Sequence, residues 1–226
     1  AVSGHLTAGD TVDLYYSRTR GSGAVLVPLL QRVHVLATGD TTEARLDAAS
    51  AAQAAGEFGD EIVPVEVISR QPDLATGEVR AHTRTVSLDE GPRAETTVEA
   101  LGKLKPVFAA KGSVTAGNSS QTSDGAGCLI LASEKAVRAF DLTPLARFVG
   151  FASRGVAPEI MGIGPIEAIP AVLKSAGLNL ADVGWIELNE AFAAQSLAVI
   201  GDLGLDPAKV NPLGGAIALG HPLGAT

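Results

Sequence analysis

Between residues 125 and 204 the sequence alternates apolar, strand-like runs with helix-like segments, and this alternation constrains the fold more than any other feature. The strand-like runs are 125–133 (GAGCLILAS), 144–153 (PLARFVGFAS) and 183–188 (VGWIEL). The first run contains a continuous apolar stretch, as expected of a strand that is buried on both faces. Because strands that alternate with helices form βαβ units, the pattern predicts an α/β fold with a mostly parallel sheet.

The intervening segments carry the residues that begin and end helices. Ser133 is placed to cap a helix over 133–140, and Pro165 and Gly177 mark the start and the end of a second helix. A third helix is expected over 189–204, with Asn189 at its N-terminus. The short glycine motifs at 162–164 and 201–204 do not make a dinucleotide fingerprint, and we interpret both as turns.

The first 120 residues have a different pattern. Residues 1–40 show little periodicity and receive no assignment, whereas 42–55 is an alanine-rich stretch that predicts a helix closed by Gly56. Segments 61–69 and 78–88 are expected to pair as strands, with Pro64 at an edge or a bulge. Thr96 and Thr97 are candidate caps of a helix that Pro106 stops. We therefore place a boundary near residue 121, between an irregular α+β segment and an α/β segment.

Composition excludes several classes of protein. The net charge of −8 and the absence of a basic stripe argue against nucleic acid as a partner. The single cysteine, Cys128, permits no internal disulfide or CxxC metal site, and the four histidines are too scattered to predict metal ligands. No apolar run approaches the roughly 18 residues of a membrane span, and no secretory signal is recognisable. We expect an intracellular protein, most simply a cytoplasmic one, and the missing initiator methionine suggests a fragment.

Asn189 is the first candidate for chemistry. It follows the strand-like run that ends at Leu188, and open α/β sheets bind their ligands at the carboxyl ends of their strands. A side chain at the start of the next helix is also well placed to stabilise a developing oxyanion. The alternative is that Asn189 only caps the helix, and the spacing alone leaves both interpretations open.

His221 is the second candidate, within the glycine-dense segment 211–226 (NPLGGAIALGHPLGAT). Gly214, Gly215 and Gly220 allow positive φ angles and the close approach of another chain or of a ligand. Pro222 biases His221 toward an extended backbone, and a histidine held in this way can donate a hydrogen bond or transfer a proton. A purely structural histidine remains the alternative.

The third candidate is the loop 111–127, whose small and hydroxyl-bearing residues could lie against a flat polar ligand. It lacks the GK[ST] sequence of a phosphate-binding P-loop, which argues against a nucleotide hydrolase. Cys128 follows this loop in an apolar setting where a thiol is usually an inert small hydrophobe, although a nucleophilic role stays open.

Four of these stretches together resemble the thiolase family. VTAGNSSQTSDGAG (114–127), MGIGPIEAIP (161–170), WIELNEAFAAQ (185–195) and VNPLGGAIALGHPLGAT (210–226) are similar to successive thiolase signatures in the same order. The resemblance extends from Gly56 to Thr226, and the NPLGGA…GHPLG form looks more like the degradative 3-ketoacyl-CoA thiolases than the short-chain biosynthetic ones.

The resemblance implies an acyltransferase that cleaves 3-ketoacyl-CoA thiolytically to acyl-CoA and acetyl-CoA in fatty-acid β-oxidation. Coenzyme A would be a substrate, with no bound cofactor or metal. The family gives the GHP histidine and the NEAF asparagine catalytic roles, which fall on His221 and Asn189. Positions that line the coenzyme A channel in similar enzymes correspond to Arg93, Phe108, Ala116, Ser119, Ser120, Ala191 and Phe192.

The resemblance also sets expectations for architecture. Thiolases have a layered αβαβα fold, so residues 1–121 would be part of a loop domain and 122–226 a truncated C-terminal half-domain. Homo-oligomers are expected of the complete form. The family's two cysteines lie in C-x-S-G and C-x-G contexts, and Cys128 matches neither. Two alternatives therefore stay open: an acetyl-CoA C-acetyltransferase that forms acetoacetyl-CoA, and a non-catalytic thiolase relic.

Overall fold

A computed structural model describes residues 11–20, 23–34, 39–93, 95–110, 112–223 and 225, with side chains from Asp47 onward. The N-terminal region, which received no assignment from the sequence, contains two strands. Strand β1 (Thr11–Arg20) pairs antiparallel with β2 (Gly23–His34), with register irregularities between Val12 and Tyr15. Residues 1–10 of that unassigned region lie outside the described residues.

A second antiparallel hairpin confirms the strand pair predicted near residues 61–88. Strands β3 (Val65–Pro72) and β4 (Val79–Val86) pair in unbroken register from Val65 opposite Val86 to Pro72 opposite Val79. Pro64 lies just before β3, so its missing N–H costs the ladder no hydrogen bond. Gly77 has φ +74° in the connecting turn, a conformation that favours glycine.

Six α-helices lie along the described chain: five overlap the predicted helices, and the sixth lies in the glycine-dense segment, where no helix was predicted. They are α1 (Gly39–Ala55), α2 (Val98–Leu101), α3 (Glu134–Ala139), α4 (Gly164–Ala176), α5 (Ala193–Leu203) and α6 (Ala216–Leu219). Short 3-10 turns lie at Ala116–Asn118, Pro158–Ile163, Leu180–Asp182 and Pro207–Lys209. None of the helices in the described ranges combines the length and the apolar composition needed to cross a bilayer.

Four predicted helix ends are confirmed, whereas the predicted stop of α2 at Pro106 is wrong because α2 already ends at Leu101. Thr97 accepts from Ala100 N at 3.2 Å to begin α2, and Ser133 accepts from Ala136 N at 3.2 Å to begin α3. Gly56 follows α1 with φ +78°, and Gly177 ends α4 with φ +69°. Each glycine takes the left-handed conformation that closes a helix, which other residues adopt only at a cost.

The prediction that Asn189 caps α5 is wrong, because α5 begins four residues later, at Ala193. The backbone before it is extended: Phe192 has φ −143° and ψ 142° and forms an antiparallel bridge with Ser119. Ala191 O accepts from Ser120 N at 2.9 Å. Since these tertiary hydrogen bonds hold the segment straight, the helix starts only after them.

The predicted strands at 125–133 and 144–153 are also not formed. Neither segment has a ladder partner among the described residues, and the side chains of Ile130 and Phe151 are 93% and 76% exposed. Cys128 is exposed, so its predicted burial in an apolar strand is wrong too. The third predicted strand, 183–188, is reduced to a single parallel bridge between Ile186 and Val210, and the described chain shows no other parallel pairing. An extended apolar segment becomes a strand only when a neighbouring strand satisfies its backbone groups.

Among the described residues, the core contains two clusters of buried hydrophobic side chains. The larger cluster contains Leu188, Val199, Ile200, Leu205 and Val210. The smaller contains Ala49 of α1 with Ile217 and Ala218 of α6. The helix predicted at 42–55 therefore packs directly on α6, the short helix that precedes His221.

Candidate active site

Residues 119–121 join the asparagine-bearing and histidine-bearing segments. On one side, Ser119 bridges Phe192 and Ser120 N donates to Ala191 O at 2.9 Å. On the other side, His221 N donates to Gln121 O at 3.3 Å. The Gln121 side chain adds two hydrogen bonds, from Nε2 to Ala218 O at 2.9 Å and to Gly91 O at 3.1 Å. Three of the four motif segments recognised in the sequence thus meet at one place.

His221 lies two residues beyond the end of α6, in a turn that only glycine permits. Gly220 has φ +96°, and a Cβ atom there would lie 2.2 Å from Ser123 Oγ. Pro222 packs against Gly125, where a Cβ atom would come within 2.8 Å of the proline ring. The His221 ring is partly exposed, but its Nδ1 is buried and has no hydrogen-bond partner among the described residues. Such buried atoms without a partner are rare in folded proteins.

Asn189 is exposed and lies on a cavity of about 500 Å³. The cavity is mostly apolar and is bounded by the segments around Phe151, Met161, Ile169 and Ala191. An apolar cavity with few polar groups at its edge is typical of a small-molecule site. The Asn189 amide is therefore accessible for hydrogen bonding to a bound molecule.

Most of the residues expected to line the coenzyme A channel lie close together. The rings of Phe108 and Phe192 meet edge to face, with centroids 5.9 Å apart and planes at 79°. Ser119 Oγ donates to Thr115 O at 2.7 Å, which fixes it beside the turn that contains Ala116. The T-shaped contact orients two aromatic faces beside backbone groups of 119–120 and 191–192.

Arg93 is the exception among the expected channel residues. Its side chain is exposed, and within the described chain no ion pair or hydrogen bond joins it to the other members of the group. Its carbonyl oxygen accepts from Thr96 N at 3.2 Å in the turn before α2. The fold also provides no cluster of three or more histidine, cysteine or acidic residues that could hold a metal, at least over the described residues.

Sequence reasoning missed two buried polar residues, Glu190 and Asn211, each only 2% exposed. Asn211 Oδ1 accepts from Leu188 N at 2.7 Å, while Nδ2 donates to Leu188 O at 2.8 Å and to Glu190 Oε1 at 3.0 Å. Ile217 N donates to Glu190 Oε2 at 3.4 Å. The only signal in the sequence was position, because Glu190 directly follows Asn189 and Asn211 opens the glycine-dense segment.

The paired glycines of that segment are required by internal packing. A Cβ atom on Gly214 would lie 2.5 Å from Ala49 Cβ, and one on Gly215 would lie 2.2 Å from Glu190 Oε2. Gly214 also has φ +93°, which side-chain-bearing residues rarely adopt. The two glycines thus allow α1 from one side and the Glu190 carboxylate from the other to contact the backbone that leads to α6.

Two family models match the chain in sequence order. Residues 45–135 match the model described as the thiolase N-terminal domain, and residues 142–226 match the thiolase C-terminal domain. Together with the meeting of the motif segments around residues 119–121, these matches show that the chain belongs to the thiolase family.

Individual relatives are similar over most of this chain. It is 54% identical over 179 residues to a 3-ketoacyl-CoA thiolase of Bacillus subtilis (strain 168), covering 79% of this chain and 45% of the relative. It is 53% identical to the mitochondrial 3-ketoacyl-CoA thiolase of Bos taurus (75% and 40%) and 52% identical to an acetyl-CoA acetyltransferase of Escherichia coli (strain K12) (79% and 43%). The chain therefore spans less than half the length of these relatives.

Solved structures show the same fold. Human mitochondrial 3-ketoacyl-CoA thiolase superposes with a TM-score of 0.73 at 49% identity, over 83% of this chain and 44% of that one. The same human enzyme in complex with CoA gives a TM-score of 0.73 at 47% identity, again over 83% and 44%. The dimeric peroxisomal thiolase of Saccharomyces cerevisiae gives 0.69 at 41% identity, over 82% and 44%. The expected thiolase-like α/β fold is thereby confirmed.

Proposed function

We propose that this chain is the histidine- and asparagine-bearing part of an enzyme that cleaves 3-ketoacyl-CoA to acyl-CoA and acetyl-CoA. The observation that carries this proposal is the set of hydrogen bonds by which residues 119–121 join Ala191 to the backbone of His221. Those bonds bring two proposed catalytic segments and the proposed coenzyme A channel to one place. The chain is 54% and 53% identical to two 3-ketoacyl-CoA thiolases, which supports the same reaction.

In this reaction a thiolate attacks the keto carbon, the carbon–carbon bond to the acetyl-CoA unit breaks, and an acyl-enzyme remains. The departing enolate takes a proton from a general acid and leaves as acetyl-CoA, and the thiol of a second CoA then takes the acyl group as acyl-CoA and releases the enzyme thiolate. We assign His221 and Asn189 to the stabilisation of negative charge on the thioester oxygen, the Asn189 amide acting through a bound water. The partly exposed His221 residue and the accessible amide of Asn189 support these ligand-binding roles. Groups of this kind act most strongly where water is excluded.

The nucleophile requires a second proposal. Cys128 is the single cysteine of the 226 residues, and it lies in neither the C-x-S-G nor the C-x-G context. It is also exposed, in a segment without regular structure. We therefore propose that the attacking thiolate comes from a cysteine outside these residues and that the chain alone binds coenzyme A without turning over.

Coenzyme A is the proposed substrate, with no resident cofactor. Phe108 and Phe192 are assigned to contact the pantetheine arm, and Ser119, Ser120 and Ala191 are assigned to the lining of the same channel. Ala116 borders the same channel, and Arg93 is assigned to a phosphate group of coenzyme A because it is a fully charged, exposed side chain.

Assembly and location are also proposals. The dimeric yeast relative supports a homo-oligomer of the complete protein. One relative is named as mitochondrial. We propose an intracellular location because the reaction needs coenzyme A, and the cytoplasm is the simplest such location. The division into a partial loop domain (1–121) and a truncated C-terminal half-domain (122–226) stays a proposal as well.

Two other functions have specific support. The similarity to the acetyl-CoA acetyltransferase of E. coli favours the formation of acetoacetyl-CoA from two acetyl-CoA molecules. The lack of both cysteine motifs favours a relic that binds coenzyme A without catalysis. A comparison of acetoacetyl-CoA with longer 3-ketoacyl-CoA substrates distinguishes the first alternative from thiolysis in β-oxidation.

The test begins with calorimetric titration of coenzyme A into the 226-residue chain, followed by a thiolysis assay with the chain alone and after extension by the flanking coding sequence. We expect binding by the chain, turnover only after extension, and loss of turnover in the extended His221→Ala variant. His82→Ala is the matched control, because His82 is exposed on β4. If coenzyme A does not bind, or if the extended His221→Ala variant keeps the full rate, the proposal is wrong.

A further inference from the structure

Glu190 is a buried carboxylate for which the proposed reaction has no direct use. Glu190 is only 2% exposed, and its sequence neighbour Leu188 belongs to a core cluster with Val210. Burying a charge is costly unless hydrogen bonds compensate, so a buried glutamate needs an explanation. Glu190 lies next to Asn189 in the sequence, and its carboxylate reaches the segment that carries His221.

The carboxylate accepts hydrogen bonds from both sides. Asn211 Nδ2 donates to Oε1 at 3.0 Å, and Ile217 N donates to Oε2 at 3.4 Å. Because both of these partners are donors, a carboxylate satisfies them and an amide does not. A glutamine at this position would turn its NH₂ group toward one of the two donors and leave that pair without a hydrogen bond.

Ile217 lies in α6, and His221 follows it by four residues. The α6 helix ends at Leu219, and the rigid turn at Gly220 leads directly to His221. The bond from Ile217 N to Glu190 therefore ties the start of α6 to the residue beside Asn189. Gly215 leaves room for this contact, since a Cβ atom there would come within 2.2 Å of Glu190 Oε2.

We propose that Glu190 is a positioning residue: its carboxylate fixes α6 against the Asn189 segment and so sets the placement of His221 relative to Asn189. The functional meaning of this placement rests on the proposed function. Whether Glu190 holds the His221 segment in place is a separate question, and it can be measured without an activity assay.

The test is amide hydrogen–deuterium exchange, measured by NMR on the full 226-residue chain. In Glu190→Gln we expect the amides of Ile217 and His221 to exchange at least about ten-fold faster than in the unaltered chain. The amide of Leu205, which donates to Ile200 O at the end of α5, should stay within about two-fold. Glu167→Gln is the matched control, because it makes the same change on an exposed face of α4.

A second variant displaces the carboxylate without removing it. Gly215→Ala places a methyl group against Glu190 Oε2 and against Asn211 Nδ2, which donates to the same carboxylate, and the φ of −126° at this position is one that alanine adopts freely. We expect the same selective acceleration at Ile217 and His221. Gly184→Ala is the control, since no atom of the described residues lies within 4 Å of a Cβ atom there.

The outcomes separate this inference from the proposed function. Unchanged exchange at His221 in both variants, or equal acceleration of all three amides, would overturn the positioning role even if coenzyme A binds. Selective acceleration supports it even if coenzyme A does not bind, in which case only the proposed function fails. Should neither variant fold, the unaltered chain decides: protection of Ile217 and His221 should agree within about three-fold, and a hundred-fold difference would contradict the coupling.

Discussion

Asn211→Ala is expected to destabilise the protein more than the same substitution at an exposed asparagine. The side chain makes three buried hydrogen bonds, two with the backbone of Leu188 and one with the Glu190 carboxylate. At about 1 kcal/mol for each neutral bond and about 2 kcal/mol for the charged one, their loss costs roughly 4 kcal/mol. Asn211 also has φ +47°, where alanine costs about 1 kcal/mol more than asparagine.

The total, about 5 kcal/mol, compares with a folding free energy of about 5–15 kcal/mol for a typical domain. It is measured by urea unfolding at equilibrium, followed by the fluorescence of Trp185, the single tryptophan. Asn211→Gly separates the two contributions, because glycine adopts positive φ without strain and should be about 1 kcal/mol less destabilised than the alanine variant.

The control is Asn179→Ala, an exposed asparagine whose side-chain amide reaches Asp182 Oδ2 at 3.3 Å. Its loss should cost less than about 1 kcal/mol. If Asn211→Ala lies within about 1 kcal/mol of the unaltered chain, the buried hydrogen bonds do not stabilise the native state as we have argued.

Three further predictions use the same reasoning. Gly214→Ala should lower the free energy of unfolding in urea by about 2–4 kcal/mol, because it adds a clash with Ala49 to strain at φ +93°. Gly177→Ala should cost only about 1 kcal/mol, since its φ of +69° is strained but no described residue lies within 4 Å of the added methyl group. Equal losses would show that the Ala49 contact yields easily. Gln121→Ala removes two hydrogen bonds and should cost about 2 kcal/mol, measured in the same way; a loss below about 0.5 kcal/mol would contradict this. Phe108→Ala should change stability by less than about 1 kcal/mol, because its ring is 73% exposed, yet weaken coenzyme A binding in calorimetric titration; unchanged binding would exclude the ring from the channel.

The sequence correctly predicted helix ends that depend on interactions between neighbouring residues. Gly56 and Gly177 were expected to close helices, and both take positive φ where α1 and α4 end. Thr97 and Ser133 were expected to begin helices, and each accepts a hydrogen bond from a backbone N–H in the first turn. These outcomes depend on three or four neighbouring residues, so no knowledge of the tertiary structure is needed.

Long-range pairing explains the errors. Asn189 has the chemistry of a helix cap, but hydrogen bonds from residues 119–120 hold residues 191–192 in an extended conformation and delay the helix. In the same way, the apolar run at 125–133 has the composition of a buried strand but lacks a ladder partner within the described chain. Local sequence patterns indicate which conformation a segment favours. Whether a strand or helix forms there also depends on hydrogen-bonding partners that are distant in the sequence.

The glycines of the glycine-dense segment allow close contacts, as predicted, but with different partners from those expected. Its glycines were expected to admit a ligand or another chain close to His221. Instead, Gly214 admits Ala49, Gly215 admits Glu190, and Gly220 admits Ser123, all of them from the same chain. The histidine is thus surrounded by contacts that fix its backbone, while its Nδ1 has no partner among the described residues. Because each contact leaves no room for a Cβ atom, we infer that packing within the chain requires these glycines and fixes the backbone that carries His221.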